Sequence, residues 1–204
     1  MQWINLSPIH LDALKEIGNI GAGHAATALS KLVNQMVKME VPEAGVIRFN
    51  DIFSMVGRED ELVACVISKV SGKAPGSILF ILDEKSAHAL VDLMMGLKIG
   101  TTRELNDMTS SLLEELGNIL TGAFLTALSQ ATNITLVPSV PALAFDMLGA
   151  VLSSAFLEGG CFAEEVLIIR TRFFNDQTKI DGHFFLVPEV KALSTILKSL
   201  GLSI

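Results

Sequence analysis

Apolar residues at Leu11, Leu14, Ile17, Ala25, Ala28 and Leu32 recur at helical spacing and predict one long helix over 8–34. Ser7 is placed to cap it, and Pro8 suits its first turn. The pattern then turns to short β-rich runs: a strand over 36–41 ended by Pro42, a second over 46–49, and longer ones over 62–70 and 77–82. The last two are joined through 71–76, which has hairpin chemistry, and 83–95 reads as a helix closed by Gly96. From residue 107 the order starts again. A helix over 107–130 leads to a strand over 134–137 and Pro138, then strands over 166–174 and 183–187, then a helix over 189–200 with Gly201 behind it. One element is unequal: 146–157 reads as a full helix, whereas its counterpart at 51–57 is shorter.

The repetition extends from apolar to polar positions. The run from Leu14 to Ser30 matches Leu113 to Ser129 at a spacing of 99 residues, with 10 of 17 positions identical. Glu16 and Asn19 return as Glu115 and Asn118. Packing alone would repeat the core positions; repeating an acid and an amide points to a duplicated site. The expected architecture is therefore α/β, one pseudo-two-fold-symmetric domain spanning 1–204, with internal repeats at roughly 8–100 and 107–204. Each half is of α-β-β-β-α type. The halves are expected to share one mixed sheet and to present two long motif-bearing helices.

Composition narrows the function classes. Half the residues are hydrophobic and 18% are charged, which excludes general disorder. A formal charge of −7 argues against nucleic acid or an anionic membrane as the main partner. No basic n-region precedes an apolar run at the N-terminus, and no stretch approaches the roughly 20 apolar residues of a membrane span. Cys65 and Cys161 are too few and too scattered for a disulfide framework or a zinc site. The expectation is a cytoplasmic protein with no membrane insertion.

Asp12, Glu16, Asn19 and Gly23 lie at i, i+4, i+7 and i+11, one narrow stripe of a helix. Ser111, Glu115, Asn118 and Gly122 form the same stripe in the second. The apolar positions occupy another face, so these side chains are expected to be exposed. A carboxamide there can hold a water in line with a phosphorus atom. A carboxylate repels a phosphoryl group, so the glutamate is better suited to anchoring a lysine of a substrate protein. The glycine one turn later lets a partner's backbone approach. A single Glu-x-x-Asn on a helix surface would ordinarily be just solvated; the duplication separates this one from that background.

The stripes, set in LKEIGNIGAGHAATALS and LEELGNILTGAFLTALS, resemble the paired signature of the CheC family of chemotaxis phosphatases. The resemblance covers nearly the whole chain, including the Val-Pro pairs at 41–42 and 137–138, and is closest to the stand-alone two-site members. Related CheX proteins carry one such helix and dimerise. The resemblance implies hydrolysis of the aspartyl phosphate of the response regulator CheY, with Asn19 and Asn118 positioning water and Glu16 and Glu115 anchoring CheY. Asp12 and Ser111 complete the motifs without an assigned role. It also implies binding of CheD, with Asp146, at the head of the extra helix, contributing. No metal site or cofactor of the protein's own is expected; Mg²⁺ would come with the substrate receiver domain. Because the two motifs lie in one chain, a monomer is expected.

Other constellations carry less. Gly21-Ala22-Gly23-His24-Ala25-Ala26 fits a loose dinucleotide fingerprint but falls inside a helix, so close helix packing explains it better. The four histidines are dispersed and none repeats between the halves. The competing function is a non-catalytic module that sequesters phosphorylated CheY or CheD, with a structural adaptor of the flagellar switch behind it. Retention of both amides favours the enzyme.

Overall fold

The computed structural model describes residues 6–48, 50–158, 165–175 and 180–202. The first half runs α1 (Pro8–Val33), β1 (Lys38–Arg48), α2 (Asp51–Val56), β2 (Leu62–Gly72), β3 (Gly76–Asp83) and α3 (Glu84–Met94). The second runs α4 (Asp107–Thr132), β4 (Leu136–Pro138), β5 (Ala142–Met147), α5 (Leu148–Glu158), β6 (Glu165–Asn175), β7 (Ile180–Pro188) and α6 (Val190–Ser199).

One seven-stranded sheet takes strands from both halves in the order β1-β6-β7-β3-β2, with β4 and β5 sharing the outer edge of β2. Read from the other end, this order exchanges the halves, which places a pseudo-two-fold axis between β3 and β7. The exchange is interleaved. β1 of the first half pairs with β6 of the second, and β4 and β5 of the second pair with β2 of the first. All strand pairs among the described residues are antiparallel. The sheet is thus not mixed as expected: the sequential pairs β2–β3 and β6–β7 run antiparallel, and so does the central β3–β7 pair, which leaves no parallel neighbours among the described residues.

Alternation along the strands divides the core between two faces. Ala64, Val66, Val70, Ile78, Phe80, Leu82, Phe184 and Leu186 face a layer that includes α1, α3, α4 and α6. Val63, Cys65, Leu79, Ile81, Phe185 and Val187 face α2 and α5. Cys65 is fully buried, and burial pushes its thiol pKa up. Cys161 and Phe49 lie outside the described residues.

The Val-Pro pairs interrupt both outer strands. The two short runs expected at 36–41 and 46–49 form one strand, β1, whose register slips between Glu40 and Glu43, around Pro42. Proline has no N–H for the ladder and is tolerated at a bulge on an edge strand. In the second half the same feature splits the edge outright, with β4 ending at Pro138 and β5 starting at Ala142. Ser139 bridges the gap, its N–H donating to the Lys69 carbonyl at 2.7 Å and its Oγ accepting from the Lys69 N–H at 3.0 Å.

Candidate functional site

The two motif helices are each 26 residues long and begin with equivalent caps. Ser7 and His10 form a capping box on α1, and Asn106 and Thr109 form one on α4. Both helices end on an asparagine in the left-handed conformation, Asn34 at φ 50° and Asn133 at φ 53°. Ser30, one of the duplicated serines, binds the chain after the turn, its Oγ accepting from the Val37 N–H at 2.9 Å.

Within each helix the motif alternates inward and outward positions. Ile17 and Gly18 are buried while Glu16 and Asn19 on either side are exposed. Leu116 and Gly117 are likewise buried between exposed Glu115 and Asn118. The glycines are required by close approach to the sheet. A Cβ on Gly18 would lie 2.6 Å from Ile169 and 3.0 Å from Val41, and one on Gly117 would collide with Val66. Each glycine lowers its helix onto the sheet and leaves the next residue, the asparagine, directed to solvent.

Asp12 and Ser111 are exposed at the start of the stripes. At the far end Gly23 is exposed and Gly122 half-buried, and a Cβ added to either would meet nothing within 4 Å. Gly21 differs: a Cβ there would strike the ring of Phe124 where α1 and α4 cross. Helix packing therefore accounts for Gly21 of the loose dinucleotide pattern. His24 is exposed, whereas His10 is buried in the α1 cap. Among the described residues no hydrogen bond or ion pair within the chain engages the side chains of Glu16, Asn19, Glu115 or Asn118. Two polar pairs, unspent on the fold, are thus held on rigid supports.

Asp146 is exposed, but it does not head a helix. It sits in β5 opposite Val63, two residues before α5 begins. Its Oδ1 accepts from the Met147 N–H at 2.7 Å. The leading N–H groups of α5, those of Leu148 and Gly149, donate instead to the Glu61 and Glu59 carbonyls at 2.8 and 2.9 Å. The turn 58–61 does the capping because β5 carries the chain straight into the helix, leaving Asp146 on the sheet edge.

Two features escape sequence reasoning. Ile9 and Met108, on the second residue of each helix, are 61% and 64% exposed, apolar side chains outside the core stripe. Asp92, buried in α3, accepts from the N–H groups of Gly100, Thr101 and Thr102 and from the Thr102 hydroxyl, tying the linker to α4 against the body. A carboxylate in the apolar run Val91-Asp92-Leu93-Met94 was the available signal for it.

The α/β fold is one already seen in a solved structure. It superposes on the crystal structure of FliY from Thermotoga maritima with a TM-score of 0.78, at 23% identity over 97% of this chain and 98% of that one. The sequence defines the family more closely: the chain belongs to the CheC-like family, whose model matches residues 9–46 and 108–144. It is 35% identical over 198 residues to the CheY-P phosphatase CheC of Bacillus subtilis, covering 95% of each chain. It is also 33% identical over 129 residues to the flagellar motor switch phosphatase FliY of Bacillus subtilis, covering 61% of this chain and 32% of that protein. No helix among the described residues is long and apolar enough to cross a membrane.

Proposed function

We propose that the protein is a phosphatase that hydrolyses the aspartyl phosphate of the response regulator CheY. The observation that carries this reading is the duplicated, exposed Glu/Asn pair in a chain 35% identical to a CheY-P phosphatase. Asn19 and Asn118 each present a carboxamide whose oxygen accepts from a water and orients it toward phosphorus. The water oxygen bonds to phosphorus as the bond to the aspartate oxygen breaks, releasing inorganic phosphate and a free carboxylate. Orientation of the attacking water is the main term a side chain can supply here, since the chemistry needs little covalent help. Glu16 and Glu115 anchor the substrate by pairing with a cation beside its phosphorylation site. Mg²⁺ belongs to the receiver domain in this scheme. In this reading the protein acts as a cytoplasmic monomer.

CheD is proposed as a second partner, bound at the edge that carries Asp146. The exposed, uncapped setting of that carboxylate supports a contact role over the helix-cap alternative. Reversal of charge at Asp146 should weaken CheD binding with the melting temperature and CheY phosphatase activity unchanged; equal loss of all three would return it to a structural role.

The asparagine and glutamate variants should fail differently. Asn19→Ala with Asn118→Ala should lower turnover on the order of 100-fold, about 2.7 kcal/mol of barrier, while leaving binding to phosphorylated CheY. Glu16→Lys with Glu115→Lys should chiefly remove binding. Phosphate release and direct titration with a stable phosphorylated-state mimic separate the two. Normal hydrolysis by the double asparagine variant would overturn the mechanism and leave sequestration as the function.

A further inference from the structure

We propose that Ile9 and Met108 are apolar docking residues for the same phosphorylated receiver domain, one per site, which extends each polar pair into a larger contact surface. The inference rests on the phosphatase reading above, because it takes that domain as the occupant.

The first observation is duplication. Ile9 and Met108 stand 99 residues apart, in register with the Glu/Asn pairs, at the second residue of equivalent capped helices. Their immediate neighbours diverge between the halves: Pro8 against Asp107, His10 against Thr109, Leu11 against Ser110. In that turn the position holding a large apolar side chain in solvent is the one both halves keep. The two side chains differ in shape, which speaks for a shared requirement for apolar volume.

The second observation is that, among the described residues, no core packing uses them. Neither residue belongs to the two core clusters or to the half-buried side chains packed on them. At 61% and 64% exposure they are among the most solvent-exposed large apolar side chains of the described chain. Scattered apolar residues are normal on a surface, but a matched pair at symmetry-equivalent positions beside matched polar pairs is not scatter.

The third is continuity with the site. At 100° per residue, positions 9, 12, 16, 19 and 23 fall within about 80° of the helix circumference. At 1.5 Å per residue, Ile9 lies about 10 Å from Glu16 along the axis and about 15 Å from Asn19. A stable protein–protein contact covers about 800 Å² per partner, a disc roughly 30 Å across. A globular substrate seated over Glu16 and Asn19 therefore covers Ile9, and over Glu115 and Asn118 it covers Met108. An exposed Ile or Met desolvated in this way supplies affinity without directing chemistry.

The test is the double variant Ile9→Ala with Met108→Ala, assayed for phosphate release against phosphorylated CheY. Alanine has the higher helix propensity, so both helices should persist, as checked by thermal melting. The expected result is a KM raised roughly tenfold with kcat unchanged. The exchange Ile9→Met with Met108→Ile should restore wild-type KM, since apolar volume is what is read. An unchanged KM, or a fall in kcat at constant KM, would overturn the docking role. Asn19→Ala with Asn118→Ala is run alongside to judge the phosphatase reading separately. If that reading fails, titration with the phosphorylated-state mimic still decides: weaker binding by the alanine pair supports docking, and equal binding overturns it.

Discussion

Glu-x-Gly-Asn joins two tasks within four residues. The residue after glutamate and the glycine press the helix onto the sheet, and the acid and amide on either side are carried outward as a consequence. This separates two kinds of glycine that sequence alone leaves alike. Gly18, Gly21 and Gly117 are contact glycines, and alanine at any of them forces Ile169, Phe124 or Val66 to move, an overpacking cost of about 1–3 kcal/mol. Gly23 and Gly122 have open space where a Cβ would go. Gly23→Ala with Gly122→Ala should therefore raise stability, by up to about 1 kcal/mol per site, because alanine is the better helix former. If a substrate backbone comes close there, the same variant should lose phosphatase activity. A more stable and fully active variant would show that these glycines serve no contact. Denaturant unfolding and phosphate release on one preparation decide between the two.

Among the elements, the long helices and the central strands were legible because each carries a strong period over many residues. The 26-residue α1 and α4 and the hairpin strands β2 and β3 lie within two residues of expectation. What sequence hid was set by partners distant in the chain. Pro42 reads as a strand end until β6 is present to carry the ladder past a bulge, and Asp146 reads as a cap until 58–61 supplies the carbonyls instead. Polar exposure at Glu16, Asn19, Glu115 and Asn118 was legible from the stripe; the apolar exposure of Ile9 and Met108 was not, since an isolated Ile or Met reads as core. Asp92 is a further case, its partners lying eight to ten residues beyond it. Burial pushes the Asp92 carboxyl pKa up, but hydrogen bonds from Thr102, Thr101 and Gly100 outweigh it and hold the group below the usual carboxylate range. The unfolded chain thus binds this proton more readily than the folded one. The stability Asp92 contributes is complete above the ordinary carboxylate pKa near 4 and is lost as pH falls through the lower folded value. Asp92→Ala should cost about 1–3 kcal/mol at neutral pH and flatten the acid limb of the stability profile. Because the linker leads into α4 alone, Asn118-dependent turnover should fall more than Asn19-dependent turnover, measured in backgrounds with one asparagine removed. Equal effects on the two sites would show that Asp92 supports the whole domain and not the entry to α4.

At the scale of the whole molecule, the decisive fact is that neither half owns its edge strand. β1 is held by β6, β4 and β5 are held by β2, and the centre of the sheet is the contact of β3 with β7. The layer above is shared as well, with α1 resting on β1 and β6 and crossing α4. A chain cut after Glu104 would leave the first half with β1 unpaired and the inner edge of β3 open. Its core residues on α1 would lose Ile169 and Phe124, side chains that only the second half supplies. A fragment of about 100 residues in that condition has too little buried apolar surface to offset its chain entropy as a monomer. The expected outcome is that residues 1–104 and 105–204, expressed separately, show no cooperative thermal transition at low concentration. Mixed together, they should recover one as a one-to-one complex with both sites active, since the interleaved pairings need no covalent link between α3 and α4. Circular dichroism melts, sedimentation and phosphate release check the three parts of this expectation. A first half that melts cooperatively as a monomer would mean that the repeat is two autonomous units placed side by side, and would overturn the view that the two sites share one core.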